Sequence, residues 1–422
     1  MLAFVKTFGC QLNVADGEKI KSQLVNIGYE LTDIPEIADL ILFNTCAVRE
    51  NAENRVFGHI GRAKYFKERN KNLIIGLCGC MANEPETIEK LKAHYSCVDI
   101  IFGTSAISKL PEMLADIKKN KYNEEYFELN TETDEGLGQV RESKYKASVP
   151  IMYGCNNFCT YCIVPYVRGR ERSREVGKIL EEITELVSKG YKEIMLLGQN
   201  VNSYAYDFPL LLKKINDIQG DFWVRFMSSH PKDCSKELID TVAECGKICK
   251  HIHLPVQSGS NDVLKRMNRN YTREKYFEII DYAKKKIPEV AFTSDIIVGF
   301  PNETEEDFLN TLEVIEKVRY NNIYNFIYSK RSGTKAADYL DSITHKEKTE
   351  RMARLIALQQ KISLENNGLL VGKTVKVLVE ENNIGRTEGM IMVELDKTIE
   401  EGNIVEVKIT GQKSIYLKGE VI

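Results

Sequence analysis

Short apolar runs alternate with amphipathic stretches over the first part of the chain. LAFVKTF, DLILFNT, LIIGLC and VDIIFG read as buried strands, and residues 16–27, 52–69 and 84–93 carry apolar positions at helical spacing. Strands that are apolar throughout and separated by helices predict a parallel sheet covered on its faces. An open parallel α/β domain is therefore expected over residues 1–118. The stretch KKNKYNEEYFELNTETDEGLGQVRESKYK is poor in aliphatic residues and rich in charge. It reads as a linker over residues 119–145.

The alternation restarts near Lys146. Six candidate strands follow, in ASVPIM, EIMLL, FWVRFM, HIHLPV, VAFTSDIIV and NIYNFIY, with helical segments at 175–189, 235–244, 273–286 and 304–318 between several of them. Six βα units predict a complete or partial barrel over residues 146–368, with its chemistry at the C-terminal ends of the strands. A long amphipathic helix over 345–366 closes this part. From 369 to 422 the pattern changes to TVKVLVEE, MIMVEL, IVEVKIT and IYLKGEVI, alternating with turns that carry Gly and Asn. That is the signature of a small all-β barrel or sandwich. The fold class is thus α/β: an open parallel domain, a (βα) barrel and a small β module.

Charge and composition narrow the function classes only slightly. The net charge is −3, so any nucleic-acid binding must come from local patches. No apolar run reaches the length of a membrane span. The N-terminus, MLAFVKTFGCQLN, has no basic stretch ahead of its apolar residues, so it reads as a strand rather than a signal peptide. A cytoplasmic location is expected, where thiols stay reduced. Eleven cysteines then point to metal binding or catalysis more than to disulfides.

The cysteines fall in a pattern. Cys10, Cys46 and Cys80 each follow one of the first three predicted strands, more than 30 residues apart in sequence. Parallel strands gather their C-terminal ends on one sheet edge, where such folds place ligands. For any one of these cysteines core packing is the simpler explanation; for three at equivalent strand ends it is not. Cys97 begins the fourth strand and belongs at the opposite edge, and Cys78 sits inside the third strand as a small buried residue. In the barrel, Cys155, Cys159 and Cys162 form C-x3-C-x2-C after the first strand, at the predicted mouth. A closed zinc site takes four ligands, so three suggest either a partial zinc site or a [4Fe-4S] cube with one iron open. Cys234, Cys245 and Cys249 lack such a setting and read as structural, although Cys245 and Cys249 could share a helix face.

The loop GCNNFCTYC, with Tyr161 at its aromatic position, resembles that of the radical S-adenosylmethionine (SAM) superfamily. The upstream three-cysteine domain and a C-terminal module similar to TRAM domains narrow the resemblance to the methylthiotransferases. It spans nearly the whole chain, through TFGCQLN, NTCAVREN, GCMA, GCNNFCTYCIVPYVRGRE, LLGQNVNSY, LPVQSGS, DIIVGFP and YSKRSGT. Ala47-Val48-Arg49-Glu50 and VFGHIGR are similar to the branch that methylthiolates carbon 2 of N6-isopentenyladenosine at tRNA position 37. Asn302, Lys330, Ser332 and Gly389 depart from the family's usual residues.

The resemblance implies two [4Fe-4S] clusters, one on Cys155, Cys159 and Cys162 and one on Cys10, Cys46 and Cys80. The open iron of the first would chelate SAM, whose reductive cleavage gives a 5′-deoxyadenosyl radical, and the second would carry the sulfur. Carbon 2 of adenine has a C–H bond too weakly acidic for side-chain bases, which is why radical chemistry is needed. Candidates to hold SAM are Tyr161, Gln199, Asn200, Ser228, Ser229, Gln257, Ser258, Asp295 and Gly299, for which loop capping is the plain alternative. Arg168, Arg170, Arg172 and Arg174 are candidates for RNA phosphates, or else a solvated helix start capped by Ser173. Residues 371–422 hold seven Lys plus Arg against nine Asp plus Glu, so the β module cannot bind RNA by bulk charge. Implied partners are a tRNA anticodon loop and proteins that donate electrons and sulfur, acting on a monomer with no membrane. Two alternatives stay open: the same chemistry on N6-threonylcarbamoyladenosine, and a non-catalytic iron–sulfur RNA-binding protein.

Overall fold

The computed structural model describes residues 1–47, 50–120, 124–126 and 136–422. Val48 and Arg49, and much of the expected linker, lie outside them. The first unit runs β1 Leu2–Thr7, α1 Gln11–Asn26, β2 Glu30–Leu31, β3 Leu40–Thr45, α2 Glu50–Arg69, β4 Ile74–Gly79, α3 Pro85–His94, β5 Ile100–Phe102, α4 Leu110–Asn120 and β6 Glu124–Tyr126. Its strands are parallel throughout, in the order β2-β1-β3-β4-β5-β6. The two-residue period of β3 builds both faces. Leu40 and Leu42 pack with residues of α1 and α4, while Ile41 and Phe43 pack with residues of α2 and α3.

Two details differ from the sequence pattern. Residues 119–145 are not linker alone, because β6 pairs with β5 and extends the sheet. An edge strand needs only one ladder of backbone hydrogen bonds, so Glu124-Glu125-Tyr126 can serve without an apolar run. Helix α1 starts at Gln11, well before residue 16. Its Leu12 and Ala15 are buried, but so are Asn13, Asp16, Glu18 and Lys19, and a helix buried on polar residues hides its period.

The central unit runs β7 Lys146–Pro150, β8 Met152–Tyr153, α5 Val164–Arg168, β9 Arg172–Ser173, α6 Val176–Ser188, β10 Glu193–Leu197, α7 Phe208–Asn216, β11 Trp223–Phe226, α8 Lys236–Glu244, β12 His251–His253, α9 Asn261–Arg266, α10 Arg273–Lys286, β13 Ala291–Val298, α11 Glu305–Val318, β14 Asn322–Ile327 and α12 His345–Gly368. Capping boxes at Thr304 and Thr344 fix the starts of α11 and α12. Six of the strands are parallel, in two sheets, β7-β10-β11 and β12-β13-β14, joined by a bridge between Val224 and Ile248. No pairing among the described residues joins β14 back to β7, so the barrel is partial. Ile194 and Leu196 of β10 face the helical layer. Met195 and Leu197 point the other way and pack on Leu12 and Ala15 of α1. The first unit thus packs α1 on the inner face of the barrel at β10.

Residues 374–421 form a closed barrel of β15 Thr374–Val379, β16 Ile384–Thr387, β17 Met392–Leu395, β18 Ile404–Gln412 and β19 Tyr416–Val421, in the order β15-β16-β17-β19-β18. Strand β16, in IGRT, carries too few apolar residues to announce itself. This module sits at the N-terminal ends of the central strands. Leu378 and Ile404 pack on Trp223 and Cys249, and a Cβ on Gly389 would come within 2.9 Å of Ala291 Cβ. Gly389 is therefore an interdomain contact. Cys245 and Cys249 share no helix, since α8 ends at Glu244. Asn302 adopts φ 60°, a left-handed turn that asparagine tolerates.

Candidate functional site

Cys10, Cys46 and Cys80 lie at the C-terminal ends of β1, β3 and β4, adjacent strands of one parallel sheet. Cys10 is the N-cap of α1. A Cβ on Gly9 would come within 2.4 Å of Cys46 Cβ, so only glycine lets these two strand ends approach so closely. Asn13, one turn into α1, ties the group together. Its Oδ1 accepts from Cys10 Sγ at 3.3 Å, and its Nδ2 donates to Thr45 O at 3.0 Å and reaches Cys80 Sγ at 3.9 Å. A hydrogen bond with Cys46 lowers the Cys10 thiol to about 6 against the effect of burial, with Arg168 adding attraction. Burial raises Cys80, with Arg168 opposing it.

The loop of Cys155, Cys159 and Cys162 leaves the C-terminal end of β7 after the short β8. It is fastened on both sides. Cys155 N donates to Gly169 O at 3.1 Å, Thr160 N to Met267 O at 3.0 Å, and Ala336 N to Thr160 O at 2.8 Å. Gly154, at φ 75°, lets the chain pass Arg170, whose carbonyl oxygen would lie 2.0 Å from any Cβ there. Burial raises Cys155 and Cys162, the latter to about 12. Buried Arg269 places Nη1 3.5 Å from Cys159 Sγ and gives Nη2 to Pro255 O at 2.8 Å. Tyr161 packs beside Val263, Met267 and Phe300.

The segment that follows the second group of cysteines reaches the first through Arg168. This residue lies six positions beyond Cys162, yet its Nε–H donates to Cys80 Sγ at 2.9 Å and its Nη2 to Asp16 Oδ2 at 2.7 Å. Ala47 and Cys80 pack against Ile163 and Val167 around this contact. Sequence patterning missed Arg168, Asn13 and Arg269 as partners of the thiols, and Asp16 as the partner of Arg168. Their only signal was polarity inside segments that pack as core.

The four arginines expected at RNA divide. Arg168 and Arg174 are buried, and Arg174 is held by Pro150 O at 2.7 Å and Glu182 Oε2 at 2.8 Å. The segment is no helix start: α5 ends at Arg168, β9 holds Ser173, and α6 begins at Val176 with Glu175 before it. Arg172 turns back onto the carbonyl oxygens of Arg168 and Arg170 at 3.3 and 3.1 Å. Arg170 is exposed, 4.4 Å from the Phe158 ring, which meets the exposed Tyr166 edge-on.

The residues expected around SAM also divide. Gln199 Oε1, Asn200 Oδ1 and Ser229 Oγ are buried without a protein partner, at the C-terminal ends of the neighbouring strands β10 and β11. Ser228 beside them and Gln257 at the next strand end both hold φ 66°. Asp295 faces the inner side, 3.6 Å from His253 Nε2. Ser258 and Gly299 turn elsewhere. Ser258 Oγ is engaged with Thr311 Oγ1 and Ser260 N on the helical side, and Gly299 lies against the Lys348 side chain of α12.

Comparison with known proteins agrees with this arrangement. The Radical SAM superfamily matches residues 149–315, the TRAM domain residues 368–422, and the Uncharacterized protein family UPF0004 residues 3–103. The chain is 50% identical, over 99% of its length and 92% of the relative's, to a tRNA-2-methylthio-N(6)-dimethylallyladenosine synthase of Thermoanaerobacter pseudethanolicus. It is 47% identical to the protein of that name in Clostridioides difficile, over its whole length and 91% of the relative's. The chain belongs to the radical SAM methylthiotransferase family. Its fold also resembles that of TsrM, a radical S-adenosylmethionine methyltransferase from Kitasatospora setae, with TM-score 0.58 at 12% identity over 80% of this chain and 75% of that one.

Membership brings SAM and iron–sulfur chemistry, and the donor set fits both. Among the described residues no three His, Cys, Asp or Glu side chains converge as ligands of a single ion do. A four-iron cube takes each thiolate on a different iron, so its ligands need not meet at one point. Each triad has a buried guanidinium beside one sulfur, which can offset thiolate charge. The buried oxygens of Gln199, Asn200 and Ser229 that lack a protein partner are free to accept hydrogen bonds from a polar ligand seated at these strand ends. Among the described residues no helix is long and apolar enough to cross a membrane.

Proposed function

We propose that this protein methylthiolates carbon 2 of N6-isopentenyladenosine at position 37 of tRNA, using two [4Fe-4S] clusters. Cys155, Cys159 and Cys162 would hold the SAM-binding cluster, and Cys10, Cys46 and Cys80 the one that supplies sulfur. When bound, these groups supply reductive SAM cleavage, methyl transfer and sulfur delivery. The chain's part is positioning. Gln199, Asn200 and Ser229 hold SAM at the mouth, with Gln257, Ser228 and Tyr161 shaping its walls, while α1 packs on the inner face at β10 and excludes water there.

The observation that supports this reading is the hydrogen bond from Arg168, six residues beyond Cys162, to Cys80, with Ile163 packed beside it. A reaction that makes a substrate radical with one cluster and quenches it with sulfur from another requires that proximity. Arg170, Phe158 and Tyr166 form an exposed rim beside the three-cysteine loop, suited to phosphate contact and base stacking by RNA. The target base must leave its stack, and in a single-stranded loop this costs on the order of a few kcal/mol.

The test uses the reduced, reconstituted protein with SAM and an isolated anticodon stem-loop, followed by mass spectrometry of its nucleosides. A stem-loop carrying isopentenyladenosine should gain a methylthio group and yield 5′-deoxyadenosine, while one carrying threonylcarbamoyladenosine should not. Reaction of only the second would move the protein to that branch. Absence of 5′-deoxyadenosine with either would make it a binding protein.

A further inference from the structure

Arg168 is given no chemical step above, yet its side chain runs from the segment after the Cys155, Cys159 and Cys162 loop to Cys80 of the other triad. It leaves the C-terminal end of α5, in the central unit, and ends on a thiol and a carboxylate of the first unit. Its side chain and that of Asp16 are each 4% exposed. Burying an ion pair is costly unless every donor and acceptor is well used. Asp16 alone would satisfy the charge, so the Nε–H laid on Cys80 Sγ is a separate commitment of the same fork. Around it Ala47, Ile163 and Val167 exclude water, which strengthens a hydrogen bond of this kind. Asp16 lies three positions after Asn13 on α1, and residues at that spacing share a helix face. One face of α1 therefore carries both groups that organise the thiols.

We propose that Arg168 is a positioning residue for the cysteine triad of the first unit. From the SAM-side loop it hydrogen-bonds the Cys80 thiolate, Asp16 fixes its guanidinium, and together they set the reduction potential of the upstream cluster. A hydrogen bond to a ligand sulfur, like a nearby cation, stabilises the more negative reduced state and so raises the potential. Asp16 offsets part of that charge. The two residues therefore act with opposite signs.

This rests on the upstream triad holding a cluster, and the experiment separates the two claims. In a Cys155→Ala/Cys159→Ala/Cys162→Ala background only the upstream cluster can assemble. Its potential is measured by titration followed by electron paramagnetic resonance. Arg168→Met should lower the midpoint and alter the resonance of the reduced cluster, and Arg168→Lys, which keeps the charge but loses the fork, should restore part of it. Asp16→Asn should raise the midpoint. Fold damage would not yield opposite shifts from two partners in one ion pair. If the background variant binds no iron, the upstream cluster itself is wrong. If it binds iron and neither substitution moves the midpoint, or both move it the same way, the role of Arg168 falls. Should Arg168→Met fail to hold iron, the sign of the Asp16→Asn shift still decides.

Discussion

Arg225 donates its Nε–H to Glu193 Oε2 at 2.6 Å, and both side chains are buried. The same guanidinium gives Nη1 to Glu388 O and Nη2 to Thr387 O, at 2.5 and 2.9 Å. One side chain thus joins two central strands, β10 and β11, to the turn between β16 and β17 of the C-terminal barrel. Arg225→Ala should leave Glu193 buried as an unpaired charge and free two carbonyl oxygens. A loss of about 3–5 kcal/mol in stability is expected. Chemical denaturation gives that number, and limited proteolysis should show the C-terminal barrel released first. A loss under about 1 kcal/mol would mean that apolar contacts around Trp223 dock the module unaided.

Gly154 is the tightest point of the cysteine loop. Alanine there would need φ 75° and would place its Cβ 2.0 Å from Arg170 O. The backbone must shift, and Cys155 shifts with it. Gly154→Ala should lower the iron of the reconstituted protein from about eight to about four per chain, the number for one remaining cube, and abolish 5′-deoxyadenosine. Full iron with full SAM cleavage would show that the loop tolerates the displacement.

Glu303 provides a pH signature. Burial raises its carboxyl to about 7, although Gly299 N donates to it at 2.8 Å and Arg351 Nη1 at 3.0 Å. An acid whose folded value exceeds its unfolded value of 4.5 binds a proton more tightly when folded. Its stabilising contribution is complete below pH 4.5 and is lost as the pH rises to about 7. At about 1.4 kcal/mol per unit the loss is about 3 kcal/mol. Glu303→Gln keeps an acceptor for both donors and removes the charge. Unfolding measured between pH 5 and pH 7.5 should show a shallower decline for the variant. Equal slopes would place the charge of Glu303 in full compensation with Arg351.

The elements that were legible in the sequence are those with one job. Helices α10 and α11 carry an apolar face and a capped start, and both begin within a residue of where spacing places them. The placement of Cys10, Cys46 and Cys80 at adjacent strand ends was legible because parallel topology alone gathers such positions. What escaped were residues with two loyalties. Asp16 and Lys19 look like the solvent face of a helix, yet both are buried between units, where Lys19 Nζ meets Tyr153 OH at 2.8 Å. Arg168 and Arg174 sit in a run of alternating arginines that reads as surface, while pairing with Asp16 and Glu182 draws them inside. No period of hydrophobicity reports a polar side chain buried by a partner from a distant segment. The hydroxyl of Ser258, near a strand end, bonds Thr311 and Ser260 N of the helical layer, a partnership that its position in the sequence does not announce.

The sharpest consequence of the arrangement separates the two triads. They belong to different units and share no ligand, so each should assemble without the other. Replacing Cys10, Cys46 and Cys80 with alanine should leave the cluster on Cys155, Cys159 and Cys162 intact. That variant should still cleave SAM reductively but make no methylthio-adenosine, because the sulfur carrier is gone. Replacing Cys155, Cys159 and Cys162 should give the reverse. The upstream cluster should persist and still accept a methyl group from SAM by polar transfer, while 5′-deoxyadenosine disappears. The contact of Arg168 with Cys80 adds a refinement. In the first variant Arg168 loses its thiolate but keeps Asp16, so the three-cysteine loop should stay fastened and SAM cleavage should fall by less than tenfold. Liquid chromatography of 5′-deoxyadenosine and of the modified nucleoside reads both variants. Methylthiolation by the Cys10, Cys46 and Cys80 variant would show that the sulfur comes from elsewhere, and the role given to the first unit would have to be abandoned.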